Sequence, residues 1–271
     1  MKNLILTNVI VLLMSTALWA QQGNYQSGAR SSALAHASIT LSDTWSIFNN
    51  IGALAEVEAP ELIGSYRIPY GISELSTVTI GGAYPALGGT FGAGIHRFGK
   101  DLYNEHRLSL GYSNKLGIVS LGINTCYYQV HIEGGGTDGN LMIDFGGRAT
   151  LSRQLYFGAH ISNINQATLS DNRHSQIPTY LKTGLSYRPN SGLMLNIEAE
   201  KSLETSLNLK AGLEYMIVDR IYLRTGIETI SHISSFGAGF YPERLHVDYA
   251  YAIHPELGDI HEVSFSYQIQ R

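Results

Sequence analysis

The chain has 271 residues, 44% of them hydrophobic and only 15% charged, with a formal net charge of -4, 29 Gly, 17 Tyr and a single Cys. A water-soluble globular domain carries about a quarter charged residues, so charge is scarce here even though the mean hydropathy is only -0.02. The negative balance excludes a nucleic-acid binder built on phosphate contacts, and one cysteine, Cys126, excludes an intramolecular disulfide and a cysteine-rich zinc site.

Residues 1–20 read as a signal peptide: Lys2 supplies the positive start, Leu4 to Met14 a short apolar core, and Ala20 a small residue before a cut at Gln21. The core is shorter than the roughly 20 apolar residues of a spanning helix. No later stretch is long and apolar enough either, so a membrane crossing must use strands. Residues 28–55, GARSSALAHASITLSDTWSIFNNIGALA, are rich in small residues and set Asp43, Asn49 and Asn50 among Leu41, Trp45, Ile47 and Phe48. They read as neither strand nor independent domain. Residues 21–60 are predicted to form an N-terminal plug inside a barrel made by residues 61–271.

From Glu61 onward one unit recurs, about ten residues of period-two alternation followed by a turn rich in Gly, Asn, Asp or Pro. Val263, Phe265, Tyr267 and Ile269 alternate with Glu262, Ser264, Ser266 and Gln268, and Leu209, Ala211, Leu213 and Tyr215 with Lys210, Gly212 and Glu214. The pattern predicts strands at 61–69, 74–84, 88–98, 105–113, 117–132, 140–150, 153–162, 179–188, 192–201, 205–217, 219–230, 233–241, 244–254 and 260–270. The fold class is therefore all-β, a transmembrane antiparallel up-and-down barrel of about 14 strands with a plug. Alternate connections are tight, as at 113–116 and 217–220, whereas those assigned outside include 98–104, 133–139, 163–178 and 254–259. Short periplasmic turns and longer external loops are the asymmetry of outer-membrane barrels. Tyr66, Tyr70, Tyr84, Tyr112, Tyr187 and Tyr241 lie near strand ends, where a girdle of amphipathic rings is expected. A soluble sandwich would also alternate, but its polar face would meet water and carry more charge.

With the apolar face toward lipid, the predicted lumen lining includes Asp144, Arg148, His160, Lys182, Glu198, Glu200, Lys210, Glu214, Arg224, Glu228, Asp248 and Glu262. The mixed signs point to mutual pairing, with some charges holding the plug or guiding a solute. About eight strands can fill their interior with side chains, and more leave it open. The plug is the available filler, and Arg30, Asp43, Asn49 and Asn50 are predicted to bond to the lumen charges. Gly146, Gly147 and Gly158 are expected to leave room for it.

The stretch Gly28-Ala29-Arg30, then Ala37, Asp43 and Asn50-Ile51-Gly52-Ala53-Leu54-Ala55, resembles the N-terminal signature of the PorV/PorQ-like outer-membrane proteins of Bacteroidota, a group similar to the long-chain fatty-acid transporter (FadL-like) barrels. Ala167 to Asp171, Ile177-Pro178-Thr179 and Gly184-Leu185-Ser186-Tyr187 are similar to that family's loop and following strand. Ile51 stands where Pro is usual, and His36 where Gly is. The resemblance implies a fourteen-stranded outer-membrane barrel, with roles in type IX secretion for some members and hydrophobic solute uptake for more distant relatives.

His160-Ile161-Ser162-Asn163 places a His and a Ser on one strand face, the spacing used by outer-membrane phospholipases. Ser162, however, opens a long loop, and no orienting Asn is marked on a neighbouring strand. The ten His are scattered, and Gly134-Gly135-Gly136 is followed by no helix with Lys-Ser or Lys-Thr, so neither metal, phosphate nor other cofactor is expected. The ranked expectations are a non-enzymatic accessory of type IX secretion, then a FadL-like transporter for a small hydrophobic or amphipathic solute, then a phospholipase. The expected partners are outer-membrane lipid and, in the first case, secretion-system proteins or exported cargo. Deleting Gly28 to Ala55 is expected to raise ion conductance in planar bilayers, and unchanged conductance would count against a plug.

Overall fold

The structure is a computed structural model that describes residues 25–169, 177–202 and 205–269. The segments whose outer side chains alternate with inner ones form strands β1 (Glu61–Pro69), β2 (Thr77–Ala86), β3 (Gly89–Gly99), β4 (Tyr103–Leu116), β5 (Val119–Ile132), β6 (Gly136–Thr150) and β7 (Leu155–Ser162). They continue as β8 (Tyr180–Asn190), β9 (Leu193–Ser202), β10 (Asn208–Val218), β11 (Ile221–Glu228), β12 (Ser234–Phe240), β13 (Leu245–His254) and β14 (Gly258–Gln268). Each pairs antiparallel with its sequence neighbours, and β1 pairs with β14, so the 14 strands close and leave no edge.

Burial follows the predicted period. Ile80, Leu110, Ile197, Ile227 and Val263 stand exposed on the outside, whereas Asp144, Glu198, Lys210, Arg224 and Asp248 are buried. An apolar exterior with buried charge inverts a soluble protein and is the arrangement a bilayer requires. Connections at one end are tight (87–88, 117–118, 151–154, 191–192, 219–220 and 241–244), and the long connection 163–179 lies at the other.

Three expectations at strand ends are corrected. Ser73–Leu75 form a 3-10 turn, so β2 starts at Thr77. The expected loop 133–139 shrinks to Glu133, Gly134 and Gly135, because Thr137 and Asp138 pair with His131 and Val130 and extend β6. Tyr241 does not join the girdle: its ring stacks on His246 at 4.2 Å and its hydroxyl turns inward to Asp248. Tyr66, Tyr84 and Tyr187 do face outward, each more than 40% exposed.

Residues 25–60 lie within the ring of strands. A short helix, Ala29–Ala33, meets β11 to β14, and a 3-10 segment, Ile51–Glu56, meets β3 to β7 on the opposite wall. Glycines facing one another across strand pairs make room for them: Gly92 and Gly111, Gly122 and Gly146, Gly158 and Gly184, and Gly212 and Gly226. A Cβ on Gly158 would sit 2.6 Å from the Ile39 carbonyl oxygen, and one on Gly122 would sit 2.7 Å from that of Ile51. Gly147, by contrast, faces outward, where a Cβ would meet Leu121. Gly158→Val is expected to destabilise seating of the segment by about 1–3 kcal/mol, the usual size of an overpacking clash. Trp45, 5% exposed and the only Trp beyond residue 20, should then shift its emission to the red while the barrel remains heat-modifiable on gels.

Candidate functional site

The barrel wall holds residues 25–60 through charged and polar groups and through apolar contacts such as those of Ile63 and Ala83 with Ile47 and Phe48, and a separate packed apolar cluster lies beneath the long connection. The charges are held in pairs. Arg30 meets both oxygens of Glu214, Nε to Oε2 at 2.8 Å and Nη2 to Oε1 at 2.6 Å, and its Nη1 lies 3.3 Å from Asp43. Arg224 bonds Glu214 at 2.5 Å and Asp248 at 2.7 Å, and Tyr241 donates to Asp248 at 3.1 Å. Next to this group, Lys210 and Lys182 share Glu200 at 2.8 and 3.2 Å, and Glu198 lies 3.8 Å from Lys210. Arg148 joins Glu56 at 3.3 Å.

Several wall groups also hold the inner segment by its backbone. Glu198 accepts the N–H groups of Ser38 and Ile39 at 2.9 and 2.8 Å, and Glu262 accepts that of Gly28 at 2.9 Å. Arg148 Nε donates to the Thr40 carbonyl at 3.0 Å, and Asn196 donates to that of Ala37 at 2.8 Å.

Of the four residues expected to reach lumen charges, Arg30 reaches Glu214 and Asp43 reaches only Arg30. Asn49 and Asn50 correct the expectation. Asn49 exchanges two 3.0 Å hydrogen bonds with the backbone of Ser27, and Asn50 donates to the carbonyls of Ile39 and Gly147. An amide carries both a donor and an acceptor and so matches a peptide group better than a lone charge. Burial pushes the Asp43 carboxyl up to about 6 against the opposing pull of Arg30, and burial, with Arg67 second, holds His36 well below its ordinary range.

Glu228 lines a small cavity with Arg67, His36, Ser32, Ser235 and Glu262. Its volume of about 30 Å³ holds a water molecule or two and cannot take an aromatic ring, so this conformation is closed there. His160 is buried, but Ser162 donates to Asp144 at 3.0 Å and not to His160, which removes the activated hydroxyl a phospholipase needs.

Two features escaped the reading of the sequence. Arg107 on β4, bonded to Asp144 and 3.1 Å from Cys126, obeys the same alternation as the residues that were singled out. The second is a packed apolar cluster: Tyr25, Cys126, Tyr128, Val130, Met142, Ala167 and Ile177 are buried together, with Tyr103 and Leu169 against them. Its signal was a break in pattern, because Cys126, Tyr128 and Val130 put apolar side chains on the inner face of strand β5, where the alternation elsewhere places polar ones. Asn163 secures the roof. Its backbone N–H donates to Asp144 at 3.0 Å, and its side-chain amide donates to the carbonyls of Ala167 and Ile177 at 3.2 and 2.8 Å.

Glu214→Gln is expected to destabilise the protein by about 3–5 kcal/mol, since it leaves Arg30 and Arg224 short of a buried counter-charge. Asp43→Asn, at a partly exposed pair, is expected to cost about 1 kcal/mol or less. Thermal unfolding of the two variants checks the ranking.

No protein-family model and no curated protein matches the chain. Solved structures do. The toluene transporter TbuX of Ralstonia pickettii matches with a TM-score of 0.72 at 11% identity, over 92% of this chain and 100% of that one. The toluene transporter TodX of Pseudomonas putida gives 0.69 at 10% identity over 89% and 97%, and a FadL homologue of Pseudomonas aeruginosa gives 0.65 at 13% over 92% and 100%. At these identities the likeness is one of fold alone, a closed 14-stranded barrel shared with these transporter structures.

Proposed function

We propose that the protein is an outer-membrane channel for a small apolar or amphipathic solute, closed in this conformation by residues 25–60 and without a catalytic step. A packed apolar cluster carries the reading. Among the described residues, the aromatic and aliphatic side chains of Tyr128, Val130 and Met142 gather under the long connection, where a solute from outside would arrive, and Tyr25 of the inner segment itself packs among them. Solute entering there would displace Tyr25, which couples occupancy to the seating of the segment. The shared fold with hydrocarbon transporters supports the same assignment. The charged remainder of the lumen does not oppose it, because many of its charges are paired with one another and several hold the segment.

The accessory role in secretion implied by the PorV/PorQ resemblance calls for a broad docking surface. Apart from 163–179, the connections at that end are short.

The test is uptake of a radiolabelled monoaromatic hydrocarbon and of a medium-chain fatty acid by cells making the protein. Val130→Asp and Met142→Asp, which put a carboxylate into the apolar cluster, should reduce uptake by about tenfold or more, given the cost of stripping water from a charge. Heat-modifiability would confirm that the variants assemble. Unchanged uptake in both variants, or wild-type uptake equal to that of cells lacking the barrel, overturns the reading. Co-purification of exported proteins with the wild type would then favour the secretion role.

A further inference from the structure

The lipid-facing side of the strands is apolar almost throughout, and among the described residues its charged exceptions are Arg97, Lys201 and Asp259, all at the end of the barrel that carries the long connection. Two of them have protein partners: Lys201 donates to the Thr205 carbonyl at 3.4 Å, and Asp259 meets the Tyr251 hydroxyl. Arg97 is exposed and bonds to no other described residue.

The register gives Arg97 a defined setting. It stands opposite His106, which stands opposite Gln129, so three polar side chains form one row across β3, β4 and β5. The next row toward the membrane centre is Ile95, Leu108, Tyr127 and Leu141, all exposed outward. On the other side of the polar row come Asn104 and His131. The apolar-to-polar boundary of the outer surface therefore falls on Arg97. Lys100, in the connection just beyond, is already engaged by Ser73 at 2.8 Å and Glu74 at 3.7 Å, which leaves Arg97, among the described residues, as the free cation at the boundary.

A guanidinium offers a rigid fork of donors that fits phosphate in two-point contact. Beside an apolar row at headgroup level, it suits a molecule with an anionic head and acyl chains. A free phosphate ion would make no use of the apolar row. We propose that Arg97, flanked by His106 and Gln129, is a headgroup site for the phosphate of an acylated glycolipid in the outer leaflet, whose chains lie along Ile95, Leu108 and Tyr127. The site stands on the membrane-barrel reading and is independent of which solute the lumen takes.

The experiment counts lipids bound to the purified protein by native mass spectrometry, in micelles supplemented with bisphosphorylated lipid A or with the same lipid after removal of its phosphates. Wild type should retain the phosphorylated lipid in preference, and Arg97→Gln should lower its occupancy by about tenfold or more, as expected for loss of a charge-assisted contact. Lys201→Gln should retain it as wild type does, and added salt should release it from wild type. Equal retention by Arg97→Gln, or equal retention of the dephosphorylated lipid, overturns the proposal and leaves Arg97 a general anchor. Solute uptake by Arg97→Gln should equal that of wild type, so failure here and failure of the channel reading are separate results.

Discussion

A backbone that is neither strand nor long helix can lie at membrane depth only if its N–H and C=O groups find partners inside the protein. Residues 25–60 face that constraint, since their helical pieces are too short to satisfy themselves. The barrel wall supplies what is missing. Carboxylates of Glu198 and Glu262 take N–H groups, while Arg148, Asn124, Asn196 and Ser113 give hydrogen bonds to carbonyls of Thr40, Ile47, Ala37 and Gly52. The charged lumen is thus a complement to one particular piece of chain more than a hydrated corridor. Its ion pairs set the orientation of those donors and acceptors, because a carboxylate shared between two cations has little freedom to turn away.

The same constraint explains why the interior is selective in where it is polar. Around the inner segment most wall positions are charged, an amide, a hydroxyl or a glycine, with Ile63, Ala83, Met194 and Ala250 as apolar exceptions packed on it, whereas beneath the long connection Tyr128, Val130 and Met142 occupy the inner face. Chain with unmet peptide groups needs the first kind of wall. A guest without hydrogen-bonding groups needs the second. Asp144 joins the two regions, with one oxygen accepting from Ser162 and Asn163 under the roof and the other bonded to Arg107.

The barrel was legible because alternation is a local signal: β1 and β13 fall within a residue of the expected limits, and all the charges assigned to the lumen from Asp144 to Glu262 lie inside. Contacts between distant segments were not legible. Nothing in the sequence says that Asn50 will choose the carbonyl of Gly147 over a charge, or that Tyr241 will turn inward from its connection to meet Arg224. The apolar cluster gathers Tyr25, Met142 and Ile177 from three separate stretches, and only the apolar inner residues of β5 from Cys126 onward marked one side of it. The role of the N-terminal stretch was suggested by its composition and by family resemblance, since its small residues match a surface that no local pattern describes.

The facing glycines bear on what the barrel would be without its inner segment. From Gly92 on β3 to Gly226 on β11, every strand but β9 presents bare backbone inward, much of it where Leu34, Ile39 and Ile51 now rest. If those residues withdrew, few side chains would remain along that band to narrow the bore. The width of any opening there would then be set by how far the N-terminal segment retreated, and the wall alone would impose no fixed limit.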